Sequence, residues 1–288
     1  MANLKNKIIV ITGAAGGVGS MLAIALAKQG NHIICLGRSS KNLAALTQQI
    51  NQLSPTTGGS ASFEQLDMLN AEAITQVSQK IYTQFGRFDA WINNVGVNNH
   101  NAIGPSWTLA AENWWAEVEQ NLKTSYLGAS AAIKLMQAQP SGYVINLGGG
   151  GVQQPKPFGS AYGAAKTAIV KFTETLNLEL IQEGLKIRAF AFNPGFIKNP
   201  RTQKLVKSAV ARQYMPSLET ILNNNQMSDI QDSVDLINAI MSGRADQLAG
   251  KYFLADDKDI EQAIQNSDEY ANQAFKLLRV TTPSLKPD

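Results

Sequence analysis

Cysteine occurs once and histidine twice in this chain of 288 residues, and that scarcity removes several chemistries at the outset. Cys35 lies in the apolar run His32-Ile33-Ile34-Cys35-Leu36, where a small buried thiol is expected rather than a reactive one. With His32 and His100 as the only imidazoles, a zinc site would need several carboxylates at a spacing the sequence does not offer, so no metal is expected. Charge is also sparse, at 16% with a net of +3, and Lys and Arg are scattered rather than gathered into runs. Nucleic acid is therefore not an expected partner. No uninterrupted apolar run reaches the roughly 20 residues of a membrane span. Met1-Ala2-Asn3-Leu4-Lys5 leads into a strand pattern without the apolar core of a signal peptide. The expectation is a cytoplasmic chain with no membrane partner.

What the chain does hold is enough apolar material, 44% of its residues, for one large core, and a single domain over 1–288 is expected. Short β-branched runs alternate with longer helical patterns: 8–11 then 21–29, 33–36 then 42–53, 62–66 then 71–85, 88–93 then 107–137, 143–147 then 162–182, and 187–192. The strands are continuous apolar runs, the pattern of a parallel sheet covered on both faces. The expected fold class is α/β, a Rossmann-type doubly wound parallel sheet of about seven strands with helices on both faces. After Asn193 the alternation weakens into a polar helical stretch at 200–225, a helix at 230–241 and a last strand at 251–254. The segment at 198–226 is either a lid or packing. The charged tail at 256–288 is either partly disordered or a contact between subunits.

Ligands of such sheets bind beyond the carboxyl ends of the strands. The first strand ends in Thr12-Gly13-Ala14-Ala15-Gly16-Gly17-Val18-Gly19 and passes into a helix starting near Ser20. Glycines there allow a tight turn and close backbone approach, and the helix start offers free N–H groups to a pyrophosphate, so a dinucleotide is expected. The second strand ends at Leu36-Gly37-Arg38-Ser39-Ser40. Gly37 stands where an NAD site would place an acid against the ribose hydroxyl. Arg38 can pair with a 2′-phosphate and Ser39 can add a donor, which favours NADP(H) over NAD(H).

Tyr162 and Lys166 are four residues apart on a helix and share a face. A neighbouring ammonium stabilises a phenolate, which moves the tyrosine toward acid/base work. Taken in order, the Thr12–Gly19 turn, Asn93-Asn94-Val95-Gly96, Asn121, Tyr162 with Lys166, and Pro194-Gly195 make the sequence resemble the short-chain dehydrogenase/reductase family over about residues 5–255. The resemblance implies hydride transfer between nicotinamide C4 and a carbonyl or alcohol carbon of a small-molecule substrate, with Tyr162 as proton donor or acceptor. Lys166 would hold the nicotinamide ribose and lower the tyrosine pKa, and Asn121 would sit in a water-linked relay through Lys166. The implied cofactor set is Thr12, Gly13, Gly16, Gly17, Val18, Gly19, Arg38, Ser39, Asp67, Met68, Asn94, Gly96, Tyr162, Lys166, Pro194, Gly195 and Ile197. Within it Asp67 would contact adenine, act as a helix N-cap, or do both, and Ile197 would meet the carboxamide through its backbone. A homodimer or homotetramer packed through the helices carrying Asn121 and Tyr162 is also implied.

One position departs from the family pattern. Thirteen residues before Tyr162, where a serine usually holds the substrate oxygen, stands Gly149, within Gly148-Gly149-Gly150-Gly151. Losing one such donor typically costs about 10²–10³ in turnover. A nest of backbone N–H groups from the four glycines is the expected substitute, ahead of Gln153, the stretch Asn98-Asn99-His100-Asn101, and Ser160, which lies two residues from Tyr162 and so on another helix face. His100 is read as a proton donor or as merely solvated. Trp107, Trp114 and Trp115 are read as packing on one helical stretch, with a pocket wall or oligomer contact as the other choice. The leading function is an NADP(H)-dependent oxidoreductase. The alternatives are altered chemistry on the same scaffold (isomerase, dehydratase or imine reductase) and a non-catalytic dinucleotide-binding regulator.

Overall fold

In the computed structural model, which describes residues 4–271, the apolar runs become β1 (Ile8–Thr12), β2 (His32–Gly37), β3 (Ser60–Gln65), β4 (Ala90–Asn93), β5 (Gly142–Leu147), β6 (Ile187–Asn193) and β7 (Tyr252–Leu254). They form one sheet in the order β3-β2-β1-β4-β5-β6-β7, with every neighbouring pair parallel. The order reverses between β1 and β4, which opens a crevice at their carboxyl ends.

The helices are α1 (Gly17–Lys28), α2 (Ser40–Thr57), α3 (Ala71–Phe85), α4 (Ala111–Val118), α5 (Thr124–Met136), α6 (Ser160–Gln182), α7 (Pro200–Val206), α8 (Ala209–Tyr214), α9 (Ser217–Asn223), α10 (Ile230–Met241), α11 (Ile260–Gln265) and α12 (Ser267–Ala271). Because side chains alternate across a strand, Ile9 and Ile11 face one layer while Val10 faces the other. The first layer packs Leu22 and Leu26 of α1, Leu43 of α2 and Ile237 of α10 on the sheet. The second packs Ile74 and Ile81 of α3, Ala132 of α5 and Leu180 of α6. Cys35 is fully buried and its thiol is pushed up to about 12 by that burial, as expected of an inert core residue. No helix among the described residues is long and apolar enough to cross a membrane.

Three boundaries differ from the periodicity. The helix expected at 107–137 is broken: Trp107 sits on a separate 3₁₀ turn, Ser106–Thr108, and is 87% exposed, so it does not belong with Trp114 and Trp115 of α4. Between α4 and α5 the chain makes a π turn at Glu119–Lys123, which inserts an extra residue and re-aims Asn121. Helix α1 begins at Gly17 rather than near Ser20, which puts the last glycines of the turn inside its first coil. The tail forms α11 and α12 up to Ala271, and the rest of the expected 256–288 segment lies outside the described residues.

A buried polar chain ties the central strands to α6. Trp91 Nε1 donates to Asn93 Oδ1 (2.9 Å), Asn93 Nδ2 to Asn146 Oδ1 (2.8 Å), and Asn146 Nδ2 to Thr173 Oγ1 (2.9 Å). All these polar groups are satisfied inside an apolar layer, where an unmade hydrogen bond is expensive. Replacing Asn146 with alanine strands its partners on both sides. Urea unfolding should show Asn146→Ala less stable by about 2 kcal/mol, and an unchanged midpoint would show that the chain carries no stabilising weight.

Candidate active site

A cleft of about 780 Å³ opens at the carboxyl ends of β1, β2, β4, β5 and β6. One end is built by the glycine turn. Gly13 has φ +62°, a left-handed conformation that a side chain would strain, and a Cβ on Gly19 would come within 2.5 Å of Asn94 Nδ2 and 2.6 Å of Gly13 O. Asn94 braces this turn by donating to the carbonyls of Thr12 (2.9 Å) and Gly13 (3.2 Å), while Thr12 Oγ1 accepts from its N–H (3.1 Å). Helix α1 starts with no side-chain cap and no acidic residue in its first turn, so its first amides face the cleft unscreened. A concave turn without Cβ atoms, ending at an uncapped helix start, fits a dinucleotide pyrophosphate.

Arg38, Asp67, Met68, Gly96, Pro194, Gly195 and Ile197 all border the same cleft. Arg38 is exposed at its rim, beside Ser39, whose hydroxyl caps α2 by accepting from Asn42 N–H (3.3 Å). Asp67 is not the N-cap of α3. That position is Asn70, and Asp67 instead closes the preceding turn by accepting from Leu69 N–H (3.0 Å). Ile197 O accepts from Asn199 Nδ2 (3.0 Å) and Thr202 Oγ1 (2.8 Å), which fixes the chain entering α7.

The middle of the cleft holds Tyr162 and Lys166. Lys166 is 2% exposed, and its Nζ donates to Leu147 O (2.9 Å) at the end of β5. Burial lowers this lysine to about 7, and the positive Arg201 adds to that, while the negative Glu117 opposes it. Tyr162 is pushed up to about 12 by burial, with Arg201 opposing and Glu117 adding. The tyrosine therefore holds its proton at neutral pH, opposite to the expected lowering: the Lys166 Nζ stands 5.6 Å from the ring centroid and is turned to a carbonyl. Asn121, fully buried on the π turn, donates to Val97 O (3.0 Å) and Glu117 O (2.9 Å) and accepts from Val97 N–H (3.1 Å). It pins the loop after β4, and Gly96 lies between it and Lys166: a Cβ there would meet Lys166 Nζ at 3.4 Å and Asn121 Oδ1 at 3.5 Å.

Two donors of the glycine run are not free for the expected nest. Gly148 N–H is committed to Phe192 O (2.7 Å), and Gly149 N–H points at Tyr252 Oη (3.4 Å), which itself donates to Gly149 O (3.1 Å). Tyr252, from β7, thus sets its phenol against Gly148 and the backbone of Gly149, and a Cβ on Gly148 would strike its ring at 2.5 Å. A Cβ on Gly149 would stand 2.5 Å from Tyr162 Oη, so the glycine makes room for the tyrosine. Ser160 is occupied as the acceptor of Trp114 Nε1 (3.0 Å), and Gln153 is exposed. Asn99 closes its own loop by accepting from Asn101 N–H (3.0 Å), whereas His100 and Asn98 border the cleft.

Sequence reading missed several residues here. Asn199 packs its side chain on Gly17 and caps α7 by accepting from Arg201 and Thr202 N–H groups. Glu117 is 2% exposed, raised to about 7 by burial, and faces Lys156, Arg201 and Lys166. Arg201, Lys204, Leu218 and Ile221, from α7 and α9, border the cleft, with Leu205, Ala211 and Ile103 packed beneath them. None carries a motif, because each is placed by a loop whose path depends on the folded sheet. The Gly149 geometry leads to a test. Gly149→Ser should displace Tyr162 and lower kcat/KM at least about tenfold, since overpacking a filled site costs about 1–3 kcal/mol; a rise in turnover would show that the glycine is simply a defect.

Comparison with known proteins shows the family. The short chain dehydrogenase family model matches residues 7–209. A 3-oxoacyl-[acyl-carrier-protein] reductase from Synechocystis is 30% identical over 217 residues, 75% of this chain and 84% of that protein. Among solved structures, an oxidoreductase from Haemophilus influenza with bound NAD superposes with a TM-score of 0.77 at 25% identity, covering 88% of this chain and 95% of that one. A short chain dehydrogenase from Shigella flexneri complexed with NADP gives a TM-score of 0.74 at 22% identity, covering 89% and 100%. With a seven-stranded parallel sheet, an uncapped glycine turn and a Tyr162–Lys166 pair in one cleft, the chain belongs to the short-chain dehydrogenase family.

Proposed function

We propose that this protein is a cytoplasmic NADP(H)-dependent oxidoreductase that acts on a carbonyl or alcohol group of a small molecule, with Tyr162 as its acid and base. The observation that carries this reading is the placement of the Tyr162 hydroxyl and the buried Lys166 ammonium in the cleft that also contains the uncapped start of α1. A bound dihydronicotinamide would supply the hydride. The chain supplies the proton: Tyr162, protonated at neutral pH because burial holds it high, donates from Oη to the substrate oxygen as charge develops there. Lys166, lowered to about 7 by burial, stabilises the resulting phenolate when the lysine carries its proton. Arg38 supports the choice of NADP(H), since it stands at the rim with Gly37 in place of an acid. Relatives reported with NAD and with NADP both occur, so the preference rests on Arg38 in this chain.

Helices α7 to α9 act as a lid in this reading, because Arg201, Leu218 and Ile221 reach the cleft from them. The assembly is a homodimer or homotetramer. Trp115, Tyr126, Leu178 and Ile181 of α4, α5 and α6 are 63%, 53%, 56% and 52% exposed, and an apolar face of this kind on a folded chain calls for a covering partner.

Purified protein should oxidise NADPH in the presence of some ketone from a panel that includes 3-oxoacyl thioesters. Tyr162→Phe should lower that turnover by about 10²–10⁴ while NADPH binding, followed by its fluorescence, stays intact. Tight NADPH binding without turnover across the panel would move the protein to a regulatory role. In binding titrations Arg38→Ala should weaken NADPH about tenfold or more, as loss of a charge-assisted hydrogen bond does, and leave NADH nearly unchanged; equal losses would reverse the cofactor assignment.

A further inference from the structure

Lys156 stands on the loop between β5 and α6, in the stretch Gln154-Pro155-Lys156-Pro157-Phe158. The prolines on either side narrow the backbone of this segment, since proline fixes its own φ and holds the preceding residue extended. The lysine stem then runs through a channel cut by glycines. A Cβ on Gly159 would meet its Cε, Cδ and Cγ at 2.9, 3.0 and 3.1 Å, and a Cβ on Gly151 would meet its Cβ at 3.2 Å. The stem is therefore held, and the ammonium is delivered to one place. Its Nζ lies 5.3 Å from the centroid of the Tyr162 ring and 3.7 Å from a Cβ built on Gly150.

Two ammonium groups thus flank one tyrosine ring, and they differ in their state. Lys166 is tied to Leu147 O. Lys156 borders the cleft, and no ion pair or hydrogen bond engages its Nζ among the described residues. A half-buried ammonium without an acceptor in the protein, its stem held beside Tyr162, is arranged for an acceptor that arrives from outside. The two polar atoms also bracket the glycine gap, with Tyr162 Oη against Gly149 and Lys156 Nζ against Gly150.

We propose that Lys156 is a catalytic residue of this enzyme, donating a hydrogen bond from Nζ to the reacting oxygen of the substrate in place of the absent serine hydroxyl. The proposal rests on the oxidoreductase reading above and deepens it. In the reducing direction the substrate carbonyl gains a hydride at carbon from the reduced nicotinamide and a proton at oxygen from Tyr162, giving the alcohol and the oxidised nicotinamide. Lys156 transfers nothing and polarises the C=O bond throughout. A full positive charge at that point replaces a neutral hydroxyl dipole, which is the stronger kind of donor for a developing oxyanion.

The role requires the protonated amine, and the surroundings set when that holds. Burial lowers the Lys156 pKa, while Glu117 on α4 raises it. Tyr162 faces it from α6, and Lys166, Arg201 and His100 border the same cleft from α6, α7 and the loop after β4. Activity from this donor is present at lower pH and is lost as pH rises through the depressed lysine pKa.

Two measurements test the assignment. The first needs no turnover: p-nitrophenol is added to the protein saturated with NADP⁺, and its yellow anion reports how strongly the cleft favours an oxyanion. The phenolate-to-phenol ratio of the bound probe should be about tenfold higher on the wild type than on Lys156→Met, equivalent to one pH unit, and Lys156→Arg should stay near the wild type. Equal ratios, or no binding to either protein, would overturn the proposal. The second is kinetic. Lys156→Met keeps the stem in its glycine channel and should lower kcat by about 10²–10³ with cofactor affinity unchanged. Lys156→Arg should recover part of the rate and move the alkaline limb of the pH profile upward. A rise in KM alone, with kcat intact, would mean that the lysine anchors a remote substrate anion, and would equally overturn it. If no ketone turns over but the probe ratio depends on Lys156, the oxidoreductase reading fails while the oxyanion site stands.

Discussion

Burying the Lys166 ammonium is the constraint on which the rest of the site depends. A cation removed from water costs several kcal/mol unless something holds it, and here a carbonyl at the end of β5, Leu147 O at 2.9 Å, does so. That bond sets the rotation of α6 about its axis. Tyr162, one helical turn earlier, must then project into the same cleft, and the β5–α6 loop must pass over it. The polar chain from Trp91 through Asn93 and Asn146 to Thr173 fixes the same helix from below. Tyr162 is thus held by the sheet itself, through α6.

The glycines around this point do different jobs. Those at the β1 turn keep Cβ atoms away from an uncapped helix start, where an anion can approach. Those after β5 make space for side chains from elsewhere: Gly148 for the ring of Tyr252, Gly149 for the hydroxyl of Tyr162, and Gly151 with Gly159 for the stem of Lys156. The run expected to offer a nest of backbone donors is instead packed by side chains from three other positions. Two of the four backbone donors of this run, those of Gly148 and Gly149, are turned to Phe192 O and Tyr252 Oη.

Much of the scaffold was legible because it follows from local periodicity. Near-continuous apolar runs predicted strands covered on both faces, which holds for the inner strands β1, β2, β4, β5 and β6, while the edge strand β3 (Ser60–Gln65) is polar and only partly buried. The helix expected at 107–137 was not one element, since the π turn at Glu119–Lys123 leaves the hydrophobic pattern nearly intact while displacing Asn121. Asp67 was weighed as an N-cap, yet Asn70 serves that role; two polar residues three apart before a helix compete for the same cap. Glu117 and Lys156 carried no sequence signal at all. A glutamate on an amphipathic helix and a lysine between prolines both read as solvated, and their burial depends on what packs above them.

By itself the sequence determined the order of strands and helices, the glycine turn after β1, and the presence of Tyr162 and Lys166 one turn apart, because each depends on residues close together along the chain. Only the tertiary structure decided what surrounds that pair. Tyr252 comes from the last strand, Arg201 from α7, Glu117 from α4 and Lys156 from a proline-flanked loop, segments brought together by the closing of one parallel sheet. The electrostatics follow from the same cause: desolvation raises Tyr162 and lowers Lys166, and desolvation is a property of the assembled neighbourhood, not of the residue or its spacing.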